Sequence, residues 1–172
     1  MNQAAVTEDM RFRNAVSNSW EAVWCVAQHI HSCGNCSIKI QPLRLRPSFE
    51  QRAGYGDMAD LLVCKAGSNR WLPVEVKWRN ILFSDASDFP HNTIFVDRSA
   101  KTDAAMPVCY FMVNRDLTHA ARIEWKTHEQ WLGPNTYHDA RKGYEVTVYE
   151  CPLNLVRFFA LKPGELLRRR AA

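Results

Sequence analysis

The sequence predicts an α+β domain with an α/β-type core, an N-terminal helix followed by a central mixed β-sheet. Three observations predict it. Residues 9–31 carry Phe12, Val16, Trp20, Val23, Ala27 and Ile30 at three- and four-residue steps, the spacing of one helical face. From residue 37 onward, short alternating apolar segments recur between Gly, Pro, Asn and Asp. Val108-Cys109-Tyr110-Phe111-Met112-Val113 is continuously apolar, as expected of a central strand buried on both faces.

Taken in order, the first helix should stop at Gly34-Asn35. Ser37 to Arg46 alternates Ile38, Ile40, Leu43 and Leu45 with polar residues and is interrupted by Pro42, so it reads as a bent or bulged strand. Ala59 to Lys65 is a second strand, and Gly67-Ser68-Asn69 turns it into a third, Trp71 to Trp78. A loop through Asp85, Asp88 and Pro90 leads to Thr93-Ile94-Phe95-Val96-Asp97, then to the apolar strand after Pro107. Ala120 to Trp125 and Tyr144 to Tyr149 are further strands, whereas His128 to Leu132 and Leu153 to Ala160 carry no decisive pattern. A meander of strands follows the helix.

The 172 residues are enough for a single domain with a substantial core. Apolar residues make up 47% and charged residues 23%, an ordinary globular balance. The apolar runs are too short for a membrane helix, and no signal-peptide pattern opens the chain, so a cytoplasmic protein is expected. Six cysteines, several inside apolar runs, read as buried free thiols of a reduced protein. The net charge of +4 does not by itself identify a nucleic-acid binder. Arg44 and Arg46, and the terminal Arg168-Arg169-Arg170, are the basic clusters that could meet phosphate.

The chemistry concentrates in Gly56-Asp57-Met58-Ala59-Asp60-Leu61-Leu62-Val63 and Trp71-Leu72-Pro73-Val74-Glu75-Val76-Lys77-Trp78. On a hairpin, alternation sends Glu75 and Lys77 one way and Val74 and Val76 into the core. Two carboxylates and an ammonium then converge. Phosphodiester hydrolysis needs an activated water and charge neutralisation on the phosphate. A Mg²⁺ on one or two carboxylates does both, and an ammonium stabilises developing negative charge.

These residues resemble the motif of the PD-(D/E)XK, or restriction-endonuclease-like, nuclease superfamily: an acid at the start of the second strand and Glu-x-Lys in the third. Asp60-Leu61-Leu62-Val63 and Val74-Glu75-Val76-Lys77 occupy those places, fifteen residues from acid to Glu. The proline that names the motif is absent. The resemblance implies a nuclease domain over 1–172, with a core at about 9–126 and a C-terminal extension at 127–172. It implies that Asp60 and Glu75 bind Mg²⁺ or Mn²⁺, that Lys77 acts on the attacking water and that Glu21, in the first helix, supports the site. Position before the apolar run favours Asp60 as the strand-two acid; Asp57 serves only if that strand begins earlier or bends. DNA is the expected partner, with a homodimer or larger protein assembly supplying specificity. The alternative is a non-catalytic structural or adaptor subunit of a nucleic-acid-handling or phage-type assembly with the same fold.

Other signals compete. His29, His31, Cys33 and Cys36 lie within eight residues, and Cys-x-x-Cys is half of a structural zinc site, but no second pair follows. The bland reading is a helix end with two unpaired thiols. Trp71 and Trp78 flank the Glu-x-Lys strand, where packing is the default and base stacking the alternative.

Overall fold

In a computed structural model, residues 3–42, 59–139 and 143–162 are described. Asp57, Arg44, Arg46, the bend expected after Pro42 and the terminal arginines lie outside these residues. The first element is α1, Gln3–Ser32. It ends where Gly34 (φ 88°) and Asn35 (φ 61°) take left-handed backbone, which glycine and asparagine tolerate best. Three strands follow: β1 at Cys36–Ile40, β2 at Leu61–Lys65 and β3 at Leu72–Trp78. Gly67, with φ 79°, makes the β2–β3 turn.

The chain then runs through β4 (Thr93–Arg98) directly into α2 (Ser99–Ala105) and returns as β5 (Cys109–Val113). Next come β6 (His119–Glu124), a 3₁₀ turn (Trp125–Gln130), β7 (Leu132–Asp139), β8 (Tyr144–Pro152) and β9 (Arg157–Ala160). A mixed six-stranded sheet has the order β1-β2-β3-β5-β6-β9, and β4-β8-β7 form a second sheet. In the large sheet, β3 and β5 are parallel and every other neighbouring pair is antiparallel.

Both faces of the large sheet are covered. Ala22, Val23, Cys25 and Val26 of α1 pack with Leu61, Val74, Val76, Phe111 and Val113. On the opposite face, Tyr110, Met112, Ala121 and Ile123 join Ile94 and Val96 of β4. This double burial explains why all five residues of β5 are buried. It also reverses the usual consequence of strand alternation for β3. Val74 and Val76 face α1 as expected, yet Glu75 on the other face is only 2% exposed.

Two elements were not legible in the sequence. Helix α2 is seven residues long and buries only Thr102, so it has no apolar stripe to read. Strand β7 is largely exposed along both faces and therefore lacks alternation. The indistinct Leu153 to Ala160 segment resolves into a 3₁₀ turn, Leu153–Leu155, and strand β9. The meander reading holds through β3 and fails at β4, which joins the second sheet before β5 returns parallel to β3, because strand periodicity carries no information about a strand's partner or its direction.

Candidate active site

Asp60 immediately precedes β2 and is tied to both neighbouring strands. Its N–H donates to the Val74 carbonyl at 3.2 Å, and its carbonyl accepts the Gln41 N–H at 2.9 Å. The β2–β3 register pairs Leu61 with Val74, so one step back sets Asp60 opposite Glu75. The Asp60 carboxylate Oδ2 accepts the backbone N–H of Val76 at 2.7 Å. Asp60 and the Glu-x-Lys strand are thus joined directly.

Glu75 and Lys77 pair in register with Tyr110 and Met112 of β5, on the face away from α1. A buried carboxylate needs charged or hydrogen-bonding partners, and Glu75 has two ammonium groups. Lys77 Nζ and Lys101 Nζ each lie 2.6 Å from Glu75 Oε1. Lys77 also reaches Asp97 Oδ2 at 2.8 Å, and Lys101 lies 3.8 Å from the same oxygen. Two acids and two lysines therefore interlock. Asp97 lies at the end of β4 and Lys101 stands one helical turn later in α2, so the β4–α2 connection delivers the second half of the cluster.

Burial raises the pKa of Asp97, but the Lys77 charge and hydrogen bond, then Lys101 and the Arg98 N–H, outweigh it and hold the carboxyl below its usual range. Burial pushes the Tyr110 phenol well above its ordinary value; the Asp97 and Glu75 carboxylates add to the shift. Arg79, two residues beyond Lys77, donates from Nη2 to the Phe95 carbonyl at 2.5 Å. Burial lowers its pKa and Asp97 opposes the shift.

The structure joins Asp60, Glu75 and Lys77 through these contacts. Glu21 is exposed on α1, a helix that packs on the Val74/Val76 face. Asp97 and Lys101 were missed in the sequence. Their signal was weak: an acid closing a short strand and a lysine four residues on, with nothing local to connect them to Glu75.

Among the described residues, no group of three or more His, Cys, Asp or Glu is arranged to hold a metal ion. Mg²⁺ characteristically takes one or two protein carboxylates and keeps several waters. The hard oxygen donors of Asp60 and Glu75, on paired strands, suit that chemistry.

The His29–Cys36 segment does not gather zinc ligands. His29 Nε2 lies 3.7 Å from Cys33 Sγ, but Nδ1 accepts the Lys162 N–H at 3.2 Å, and the ring stacks on Phe159. All six cysteines are free thiols. Burial raises Cys25 and Cys109 to about 11 and Cys151 to about 12, so these three stay protonated near neutrality. Trp71 lies under the Lys39 ammonium, and Trp78 Nε1 donates to the Arg115 carbonyl, so both flanking tryptophans have packing partners. No helix among the described residues is long and apolar enough to cross a membrane.

Comparison with protein-family models, with curated proteins and with solved structures returned no match.

Proposed function

We propose that the chain is a metal-dependent endonuclease of PD-(D/E)XK type that hydrolyses phosphodiester bonds of DNA. The observation that carries this reading is the contact between Asp60 and the Glu75-Val76-Lys77 strand, with the Lys77 ammonium on the Glu75 carboxylate. The element order supports it: a helix, three antiparallel strands and, after β4, a return through a helix to a strand parallel to the third.

Asp60 and Glu75 would hold Mg²⁺ or Mn²⁺. When bound, that ion supplies an acidified water and neutralises charge on the scissile phosphate. Lys77, held between Glu75 and Asp97, would orient the water or stabilise the developing negative charge from Nζ. Lys101 offers a second ammonium at the same carboxylate. Glu21, expected to support the site, stands on α1 across the sheet from the Glu75–Lys77 face and is left out of this reading.

One observation favours a second reading, a non-catalytic subunit with this fold. Glu75 and Asp97 are already matched by Lys77 and Lys101, so the cluster is also a complete structural ion network. Labelled single strands, duplexes, flaps, junctions and RNA, incubated with the full chain and Mg²⁺ or Mn²⁺, separate the two. The nuclease reading expects cleavage that EDTA stops and Lys77→Ala suppresses. Intact substrates across the panel with either ion would select the structural reading. Light scattering would test the accompanying proposal of a homodimer.

A further inference from the structure

We infer that the cavity beside the Glu75–Lys77 cluster is a pocket for an unpaired nucleobase of the substrate, an inference that rests on the nuclease reading and deepens it. The cavity measures about 410 Å³ and is lined by Arg79, Phe89, His91, Thr93, Phe95 and Glu150, among others. That volume lies within the ~300–1,000 Å³ typical of small-molecule sites. Two of its walls lead directly to the cluster. Arg79 follows Lys77 by two residues, and Phe95 precedes Asp97 by two on β4. The Arg79–Phe95 hydrogen bond ties these walls together.

The lining has the chemistry of a planar, partly polar ligand. Phe89, His91 and Phe95 offer ring faces, and unpaired bases are held by stacking on such faces. Phe95 is 46% exposed, unusually open for a phenylalanine, with Tyr137 packed near it at 5.0 Å between ring centroids. Glu150, 7% exposed, lines the same cavity. Its partners among the described residues are uncharged: Oε2 accepts from Thr93 Oγ1 at 2.6 Å, and Oε1 accepts from Asn135 Nδ2 at 2.9 Å and from the Tyr137 hydroxyl. Burial raises its pKa, but these three hydrogen bonds outweigh it and keep the group ionised.

A carboxylate has about four acceptor positions, so three donors leave one for a ligand N–H. Arg79 also lines the cavity, and its guanidinium carries five N–H donors, of which those on Nη2 reach the Phe95 and Val96 carbonyls. A ligand satisfying both presents an N–H donor beside a hydrogen-bond acceptor. Every nucleobase does so, cytosine, adenine and guanine by an amino group beside a ring nitrogen, thymine and uracil by N3–H beside a carbonyl, whereas an abasic sugar offers neither. A base stacked inside a duplex cannot enter a cavity, so the substrate must present it unpaired, as single strands, flaps and junctions do.

The test uses the full chain in EDTA, so that binding is read without turnover. Calorimetric titrations compare dCMP with deoxyribose 5′-phosphate, and oligodeoxycytidylate with an abasic oligomer of equal length. The cytosine oligomer should bind at least about tenfold more tightly than the abasic oligomer. Phe95→Ala should weaken binding of the cytosine oligomer at least about tenfold, and Glu150→Gln should weaken it as well. Preference in the oligomers but not the mononucleotides assigns the pocket to a base within a strand; preference in both extends it to free nucleotides. Should Glu150→Gln fail to fold, Phe95→Ala, altering a half-exposed side chain, still decides. Equal affinity for the cytosine and abasic oligomers, or unchanged affinity in Phe95→Ala, overturns the pocket. Base preference without metal-dependent cleavage would overturn the nuclease reading and leave the pocket standing. Cleavage without base preference would do the reverse.

Discussion

The Asp60 carboxylate is hydrogen-bonded to the backbone N–H of Val76, the residue between Glu75 and Lys77. One side chain therefore anchors β3 and, in the proposed metal site, would also contribute negative charge. Asparagine at this position would keep an acceptor for the N–H but lose the charge, whereas alanine would lose both. Asp60→Asn should abolish Mn²⁺ binding by calorimetry with little change in stability. Asp60→Ala should abolish binding and also cost about 1.5–3 kcal/mol, the usual worth of a hydrogen bond to a charged group. Equal stability of the two variants in denaturant titrations would contradict the anchoring role.

Glu75 is buried between two ammonium groups. Removing its charge leaves Lys77 and Lys101 close together with Asp97 as their shared acid. Breaking a fully buried pair costs about 3–5 kcal/mol. The lysine side chains are 23% and 28% exposed, so hydration moderates the loss and about 2 kcal/mol is expected for Glu75→Gln. Cleavage should fall by at least about two orders of magnitude. A variant as stable as the parent would mean that the carboxylate contributes nothing to the fold.

Lys77 and Lys101 meet the same oxygen of Glu75, so their effects on stability should not add. With either lysine gone, the other still neutralises the carboxylate. With both gone, a buried charge has lost both cations. The double variant Lys77→Ala/Lys101→Ala should therefore be less stable than the sum of the single losses by about 1 kcal/mol or more, within the range of interaction energies between contacting residues. An additive double-mutant cycle would argue that the two lysines act independently.

His29 links stability to pH. Burial, then the Lys162 and Arg157 charges, lower its pKa from 6.5, and Nδ1 serves as an acceptor in the neutral ring. The folded protein therefore binds the proton less readily than the unfolded chain. The contribution is fully present above about pH 6.5 and diminishes as the pH falls from there through the lower folded value. Melting temperatures between about pH 7.5 and 5 should decline, and His29→Gln should flatten part of that decline. An identical slope in both proteins would remove His29 from the effect.

The sequence patterns that read correctly were those in which one residue's neighbours determine its environment. The apolar steps of α1 and the strands around Gly67 follow from local periodicity and turn chemistry. The motif was legible for the same reason, since Glu75 and Lys77 share a face by alternation and Asp60 stands just before a strand paired with theirs.

What was not legible depended on distant partners. Glu75 lies 26 residues from Lys101, and nothing within either segment announces their meeting. Helix α2 is recognised only by what it touches, since its side chains have no apolar period. Strand β7 is held by its pairing with β8, whose register supplies the order that its own exposed residues do not encode.

The parallel pairing of β3 with β5 also imposes a schedule on synthesis. As the chain emerges, β2 and β3 can close a short hairpin at once, with Lys77 already two residues from Glu75. Asp97, Lys101 and β5 are made only later, and closing the longer loop to them adds an entropic cost that grows slowly with length, about 0.6 kcal/mol per doubling. Until then the face bearing Glu75 has no cover from β4 and remains wet, and its carboxylate has yet to meet the second lysine. The charge network joins β3 to the β4–α2 connection, so a nascent chain cannot present the finished cluster before Lys101 has been made.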